Sequence, residues 1–465
     1  MQRHADANEG RMSRSNVAVL EQDASEPCDG AGDGMKHGVG HAAHEARRLL
    51  FDRASWTLVD QCVVSLGNFI LNVQLARHLA VADYGKFALF LGAIFALRCF
   101  DYSLVSYPLS VRLHSAPRED HPGLMANSAL LAAALGLVLV ILLGLGIQFL
   151  EGGDILLPAA ACYLAWQAQE TMRRCLLANF RYRAAVTGDA VSFIGQAVAI
   201  ALMAWFGTVT LNSALYAMSV TFVAGAIVHA SKLHFGRPNV AQAIKLARDY
   251  FALGKWSLVY YEVLILRLQL FPWALAATAG TAATAAFQAA ANIANVMNPI
   301  SLGIGNAIPQ AAAHAHVTGG VHGAWRTARG YIFFGIPPIL VICAAGLIAP
   351  QLLLKLMYGA SSPYLDAALT VQLLVIAVAL EYAGEMIGKT LLGVGAGRLA
   401  SFVIALGLVS AVLTLPLIWM FGVVGAALAL VITNLVRFAV AWTALRWLIA
   451  KETATAGLAQ SAEAA

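Results

Sequence analysis

Charged and amide side chains recur in this chain inside segments otherwise built from Leu, Val, Ala and Ile. Arg98 and Asp101 stand three residues apart, Glu262 and Arg267 five apart, and Arg437 lies in a long apolar run. Three-residue spacing puts Arg98 and Asp101 on one helical face, where they could form a structural pair, whereas Glu262 and Arg267 cannot share a face. A guanidinium stays charged at every relevant pH and grips phosphate oxygens with two parallel N–H bonds. Arginines without a local carboxylate therefore point to a site for an anionic group, and Arg267 fits that description best. Arg437 suits such a site or a link to a neighbouring helix.

The amides form two stripes. Gln61, Ser65, Asn68 and Asn72 follow i, i+4, i+7, i+11, and Gln288, Asn292, Asn295 and Asn298 do nearly the same. Single buried amides often act as interhelical hydrogen bonds worth about 0.6 kcal/mol each, but two long stripes favour a hydrated wall. The carboxylates divide differently. Glu170/Arg174 and Glu385/Lys389 both have i,i+4 spacing, which suits a structural ion pair or a gate at a rim. Asp60, Glu262 and Glu381 are further candidates for ion coupling or gating, because a buried carboxyl could exchange a proton. Tyr260, Tyr261 and Glu262 together would also suit an organic cation. His314, His316 and His322 are spaced among glycines with nothing to fix a metal geometry, so no metal or cofactor is expected. No phosphate-binding GxxxxGK[ST] loop occurs, and nothing points to nucleotide hydrolysis or to an enzyme.

These residues need membrane helices to position them. The chain has 465 residues, 60% hydrophobic and 12% charged, against roughly a quarter charged in a soluble domain. Apolar stretches of crossing length occur at about 54–78, 87–110, 124–150, 155–177, 185–206, 211–230, 251–277, 284–310, 330–350, 365–390, 398–420 and 422–448. With the N-terminus in the cytoplasm, Arg112, Arg118, Arg173, Arg174, Arg181, Arg183, Arg237 and Lys245 fall on the inner side, and only Arg77, Lys86 and Lys355 on the outer. Both termini are then cytoplasmic, and the net charge of +5 reflects this collar rather than nucleic-acid binding. The six cysteines avoid the outer loops, so no disulfide framework is expected. Residues 1–45 and 451–465 read as disordered tails, and His37, His41 and His44 belong to the first of them.

The chain repeats itself. Trp56-Thr57-Leu58-Val59 returns as Trp256-Ser257-Leu258-Val259, and Phe87 as Phe287. At a later offset Glu170 meets Glu385, Arg174 meets Lys389, Arg183 meets Arg398, and Phe206-Gly207 meets Phe421-Gly422. Six crossings restore the starting side, so two like-oriented lobes of six helices are expected, at 53–235 and 251–450, joined by a basic linker at 236–250 that could act as a hinge and in which Gln242 to Tyr250 could form an amphipathic helix on the inner membrane surface. The buried charges do not repeat. Arg98 falls on Asn298, Asp60 on Tyr260 and Arg267 on Gly67, which implies an asymmetric cavity in a symmetric frame.

The run Leu75-Ala76-Arg77-His78-Leu79 through Asp83-Tyr84-Gly85-Lys86-Phe87 resembles the first hairpin of Wzx-type polysaccharide flippases. Asn306-Ala307-Ile308-Pro309, Tyr358-Gly359 and Leu391-Leu392-Gly393-Val394-Gly395 through Phe421-Gly422-Val423-Val424-Gly425 carry the same resemblance, which covers about 53–450. It implies the all-α, twelve-helix, two-lobe fold of the multidrug/oligosaccharidyl-lipid/polysaccharide (MOP) exporters, which also include lipid II flippases and MATE drug exporters. It further implies a monomer in a bacterial inner membrane that moves undecaprenyl-pyrophosphate-linked oligosaccharide, with a polymerase and a chain-length regulator as partners. On that reading Arg98 and Arg267 would neutralise the pyrophosphate, Asn68, Asn72, Asn292 and Asn295 would hydrogen-bond the sugars, and Asp101 and Arg437 would also belong to the substrate site. A MATE-like antiporter of small organic molecules is the alternative. A membrane-embedded polymerase or ligase is a third class, disfavoured by the short outer loops.

Overall fold

The computed structural model describes residues 56–463 except Leu58, Gly152 and Gly153, and Trp56 onward forms one compact unit. The expected tail at 1–45, with Cys28, His37, His41 and His44, lies outside the described residues. Every regular element among the described residues is helical. This is the form that lets a chain satisfy its backbone hydrogen bonds within each segment where water is absent. The first six are α1 (59–78), α2 (Val81–Asp101, a π turn at Tyr102–Ser106, then Tyr107–Ser115), α3 (His121–Glu151), α4 (Leu156–Ala178), α5 (Tyr182–Asp189, a π turn at Ala190–Ile194, then Gly195–Trp205) and α6 (Leu211–Ala230). Val240–Ile348 is one long run cut by left-handed or extended glycines at Gly280 and Gly320, which makes α7 (240–279), α8 (281–319) and α9 (321–348). Then come α10 (Ala368–Gly393), α11 (Gly397–Leu413) and, after a break at Gly422, α12 (423–463). The twelve expected crossings are all present.

Most of the linker and the C-terminal segment are helical. Residues 240–250 are the first turns of α7, capped by the Asn239 side chain, which accepts from the Gln242 N–H at 3.1 Å. They are pinned to the first lobe: Asn127 donates to Gln242 at 3.2 Å, Tyr250 and Ser128 share a 2.8 Å hydrogen bond, and Arg112 meets Asp249. Only 231–239 is non-helical. At the other end, 451–463 is helix rather than a disordered tail. Glu452 there accepts the Val321 N–H at 2.6 Å, placing a carboxylate at the α9 N-terminus, where free N–H groups favour negative charge.

The repeat is visible in the backbone. α4 packs along α6 as α10 packs along α12. Gly207 and Gly422, 215 residues apart, both have positive φ, at 68° and 54°. Phe180 and Gly395 are also 215 apart and both left-handed, at 56° and 77°. Glycine takes that conformation freely, whereas a bulky residue there costs on the order of 1–3 kcal/mol.

The lobes meet along α2 and α7. A Cβ on Gly85 would lie 1.8 Å from the Thr281 carbonyl, and one on Gly254 would lie 1.9 Å from that of Ser103, so these backbones touch because both residues are glycine. Tyr84, Phe87, Phe271, Leu275 and Phe287 join one buried core across the seam. At the end away from the basic loops the lobes are tied by polar bonds. Arg77 donates to the carbonyls of Leu356 (2.7 Å) and Met357, and the Asn292 amide donates to the hydroxyls of Tyr84 (2.8 Å) and Tyr358 (3.3 Å). The outer surface suits lipid: Leu137, Ile141 and Leu145 are exposed along α3, and Trp205 and Trp419 stand exposed near helix ends as interfacial aromatics do.

Candidate functional site

In the first lobe the charges gather around α4. Glu170 receives Arg98 at 3.2 Å, Arg174 at 2.7 Å and Arg173 at 3.4 Å. Arg173 is buried and also pairs with Asp60 of α1 and Asp189 of α5. Three guanidiniums thus meet three carboxyl groups. Gln169 donates to Asp189 at 2.7 Å, and the buried His229 ring stands 3.6 Å from the same carboxylate.

The Arg98–Asp101 pair that their spacing allows is not made. Asp101 instead accepts from Gln167 at 2.7 Å and from Ser106 at 3.1 Å. The reason is local geometry. Asp101 is the last residue before the π turn, and a π turn brings residue i+5 under residue i, so Ser106 reaches the carboxylate. Arg98 turns toward α4, its guanidinium also lying 5.8 Å from the Trp166 ring centre. It remains 36% exposed, against 7% for Glu170.

In the second lobe the corresponding helix, α10, supplies Glu381. Arg267 of α7 donates to it at 2.7 Å, and Arg437 of α12 approaches the same oxygen at 3.4 Å. Asn434 accepts from both arginines, at 3.2 and 3.4 Å, and donates to the Ala377 carbonyl at 2.9 Å. Arg267 therefore has partners that its own helix does not show, and at 1% exposure it is sealed in this conformation. Two guanidiniums share one carboxylate, leaving an excess positive charge. Glu381 is thus ion-paired with both arginines, and Asp60 with Arg173. Glu385 and Lys389 form the repeat of Glu170/Arg174 but stand 3.9 Å apart, each about a third exposed.

A line of aromatic rings joins the two clusters across the seam. Arg174 lies 5.2 Å over the Tyr102 ring, Tyr102 meets Tyr261 edge-on at 4.9 Å, and Tyr261 meets Tyr260 at 5.3 Å. Tyr260 is within electrostatic reach of Glu385 and Arg437. Glu262 is half-buried near Cys99, has a buried oxygen without a hydrogen-bond partner, and makes no ion pair among the described residues. The amide stripes are less uniform than expected. Asn292 is a bond in the lobe clamp and Asn295 is exposed, while Asn68 and Asn72 are half-buried, with an Asn72 to Asn68 carbonyl bond at 2.9 Å. The Asn72 side-chain oxygen is buried without a partner.

Arg173, Asp189, His229, Gln167 and Asn434 were not singled out from the sequence as site residues. For Gln167 and Arg173 the advance signal is the polarity of α4, which holds Gln167, Gln169, Glu170, Arg173 and Arg174 within eight positions.

No protein-family model and no curated protein matches the chain. Solved structures do. An inward-facing multidrug-resistance MATE transporter of the MOP superfamily superposes with a TM-score of 0.68 at 16% identity, over 83% of this chain and 95% of that one. The lipid II flippase MurJ in an inward closed conformation gives 0.67 at 12% identity, over 85% and 87%. A MOP superfamily transporter from Pyrococcus furiosus, described as having a binding pocket of reverse polarity, gives 0.59 at 16% identity over 86% and 95%. The chain is thus an all-α polytopic membrane protein with the fold of the MOP transporters.

Proposed function

We propose that this chain is a flippase for a polyprenyl-pyrophosphate-linked oligosaccharide, working by alternating access in a bacterial inner membrane with both termini in the cytoplasm. The observation that carries the reading is the sharing of one Glu170 oxygen by Arg98 and Arg174, both partly exposed beside the lobe seam. A single carboxylate oxygen satisfies neither guanidinium fork, whereas a pyrophosphate offers several oxygens at fork geometry and could take both over. The excess positive charge around Arg267 and Arg437 favours an anionic group in the second lobe as well. The likeness to a lipid II flippase and the Wzx-type motifs support the same substrate class. In this reading Asn68 and Asn72 serve sugar hydroxyls, the clamp at Arg77 and Asn292 closes the outer side, and its release exposes the headgroup there. Glu262 is the best-placed proton carrier, since it makes no ion pair among the described residues. The chain acts as a monomer, and a polymerase and chain-length regulator would receive its product.

The test is reconstitution. Purified wild type in proteoliposomes should move a fluorescent undecaprenyl-pyrophosphate glycan between leaflets. Arg98→Ala with Arg174→Ala should abolish movement while leaving the fold intact by thermal melting. Wild-type rates in that double variant would remove the phosphate role.

A second reading, an antiporter of organic cations, draws on Tyr102, Tyr260 and Tyr261 beside Glu262. Against it, the face of Tyr102 is already taken by the Arg174 guanidinium. Efflux of cationic dyes by the same proteoliposomes would favour it.

A further inference from the structure

The first lobe holds a second cavity, at its basic end and apart from the seam. The end of α2, the start of α3, the α4–α5 turn and the coil after α6 enclose about 610 Å3. Its walls carry His114, Arg118, His121, Arg181 and His234, and no carboxylate among the described residues lines it. Its floor is apolar, formed by the buried Leu113 and Met125. Glu119 and Asp120 lie on the neighbouring turn, outside the lining.

The backbone of Phe180 singles this cavity out. Its φ of 56° belongs to the left-handed region, and the matching position in the second lobe is Gly395. The helix end imposes the conformation in both lobes. Phe180 N–H bonds to the Leu177 carbonyl at 3.0 Å and Arg181 N–H to that of Leu176 at 2.9 Å, and Ala396 N–H bonds to Leu391 in the same way. Glycine would satisfy the turn without strain, yet the first lobe keeps a benzyl side chain there. That ring lines the cavity, 44% exposed, edge-on to His114 at 4.8 Å. Strain of this kind persists where the side chain has work that the backbone does not require.

The cations are arranged for a ligand rather than for each other. Arg181 commits one nitrogen to the Lys232 carbonyl, leaving its other N–H groups. Arg118 is exposed and makes no ion pair with a carboxylate among the described residues. His121 is tied down through both ring nitrogens, to the Ala116 carbonyl at 3.2 Å and to the Asn179 side-chain oxygen at 3.4 Å. We propose that this cavity binds the phosphate of an anionic lipid headgroup: Arg118 and Arg181 hold the phosphate oxygens, the His114 and His234 imidazoles add donors, and the Phe180 ring packs against the apolar stem. Basic pockets at the ends of membrane helices suit this chemistry. A free phosphate ester would use the same cations but would gain less from the aromatic wall.

The test uses the full chain in nanodiscs of phosphatidylcholine containing a minor fraction of phosphatidylglycerol, with native mass spectrometry of retained lipid. Arg118→Gln with Arg181→Gln should weaken retention about twenty-five-fold, at roughly fivefold per cation. Both residues are exposed, so the fold should persist. Phe180→Gly should raise the melting temperature by a few degrees, because the strain is relieved, and should still weaken retention. A structural role alone would not produce those opposite signs. Inorganic phosphate that binds saturably in detergent and is lost in the Arg118/Arg181 variant would support the site and assign it to the phosphate group alone. Phosphatidylglycerol retention without phosphate binding would support it as a lipid site. Retention unchanged in both variants, or no saturable binding of either probe, would overturn it.

Discussion

Replacing Glu381 by Gln should destabilise the second lobe far more than removing one of the arginines it serves. In the wild type Arg267 is 1% exposed and donates at 2.7 Å, and Arg437 sits at 3.4 Å from the same oxygen. The substituted amide would keep the shape and one accepting oxygen but leave two buried guanidiniums without a counter-ion. Breaking a buried pair in this way costs about 3–5 kcal/mol. The Glu381 side chain is 23% exposed, which places the expected loss near the lower end, at about 3 kcal/mol. At the ~2–4 °C per kcal/mol typical of a unit the size of one lobe, the melting temperature should fall by about 6–12 °C. Arg437→Met keeps the stem that packs on Gly407 and leaves Glu381 and Arg267 as a one-to-one pair. It should cost about 1 kcal/mol or less. Combining it with Glu381→Gln should recover part of the loss, because the two sites share a partner. Thermal melting of the four proteins in one detergent decides the matter. If Glu381→Gln melts within about 2 °C of wild type, or Arg437→Met is equally damaging, the charge accounting is refuted.

Other consequences are as direct. Arg173→Met should cost about 3–5 kcal/mol by stranding Asp60 and Asp189, whereas Arg98→Ala, at a third-exposed site, should cost about 1 kcal/mol or less; melting curves separate them. Gly85→Ala would press a methyl into the Thr281 carbonyl and cost about 1–3 kcal/mol in the clamped state. Spin labels at His78 and Leu356 should then move apart, and an unchanged distance distribution would rule this out. Glu262→Gln should leave melting unaltered but make transport indifferent to a proton gradient; persistent gradient dependence would assign coupling elsewhere.

The sequence alone determined whatever depends on composition, period and self-similarity. Apolar run lengths set the twelve crossings, because each must span the hydrocarbon with its own hydrogen bonds. The repeat of Glu170 in Glu385 and of Gly207 in Gly422 marked the two lobes, and both glycines share a positive φ. The residues of the polar clusters were partly legible as well: Arg98, Glu170, Arg267, Glu381 and Arg437 all take part in ion pairs. Their partners were not legible. Arg98 and Asp101 looked paired on a 3.6-residue helix, but a π turn sends Asp101 to Ser106 and frees Arg98 for α4. Arg267 looked unpartnered because Glu381 and Asn434 stand 114 and 167 residues away. Helical spacing reports only neighbours within a turn or two. Which helix face meets which is decided by packing at contacts such as Gly85 on Thr281, and only the tertiary structure shows whether a buried charge is free to bind or already neutralised.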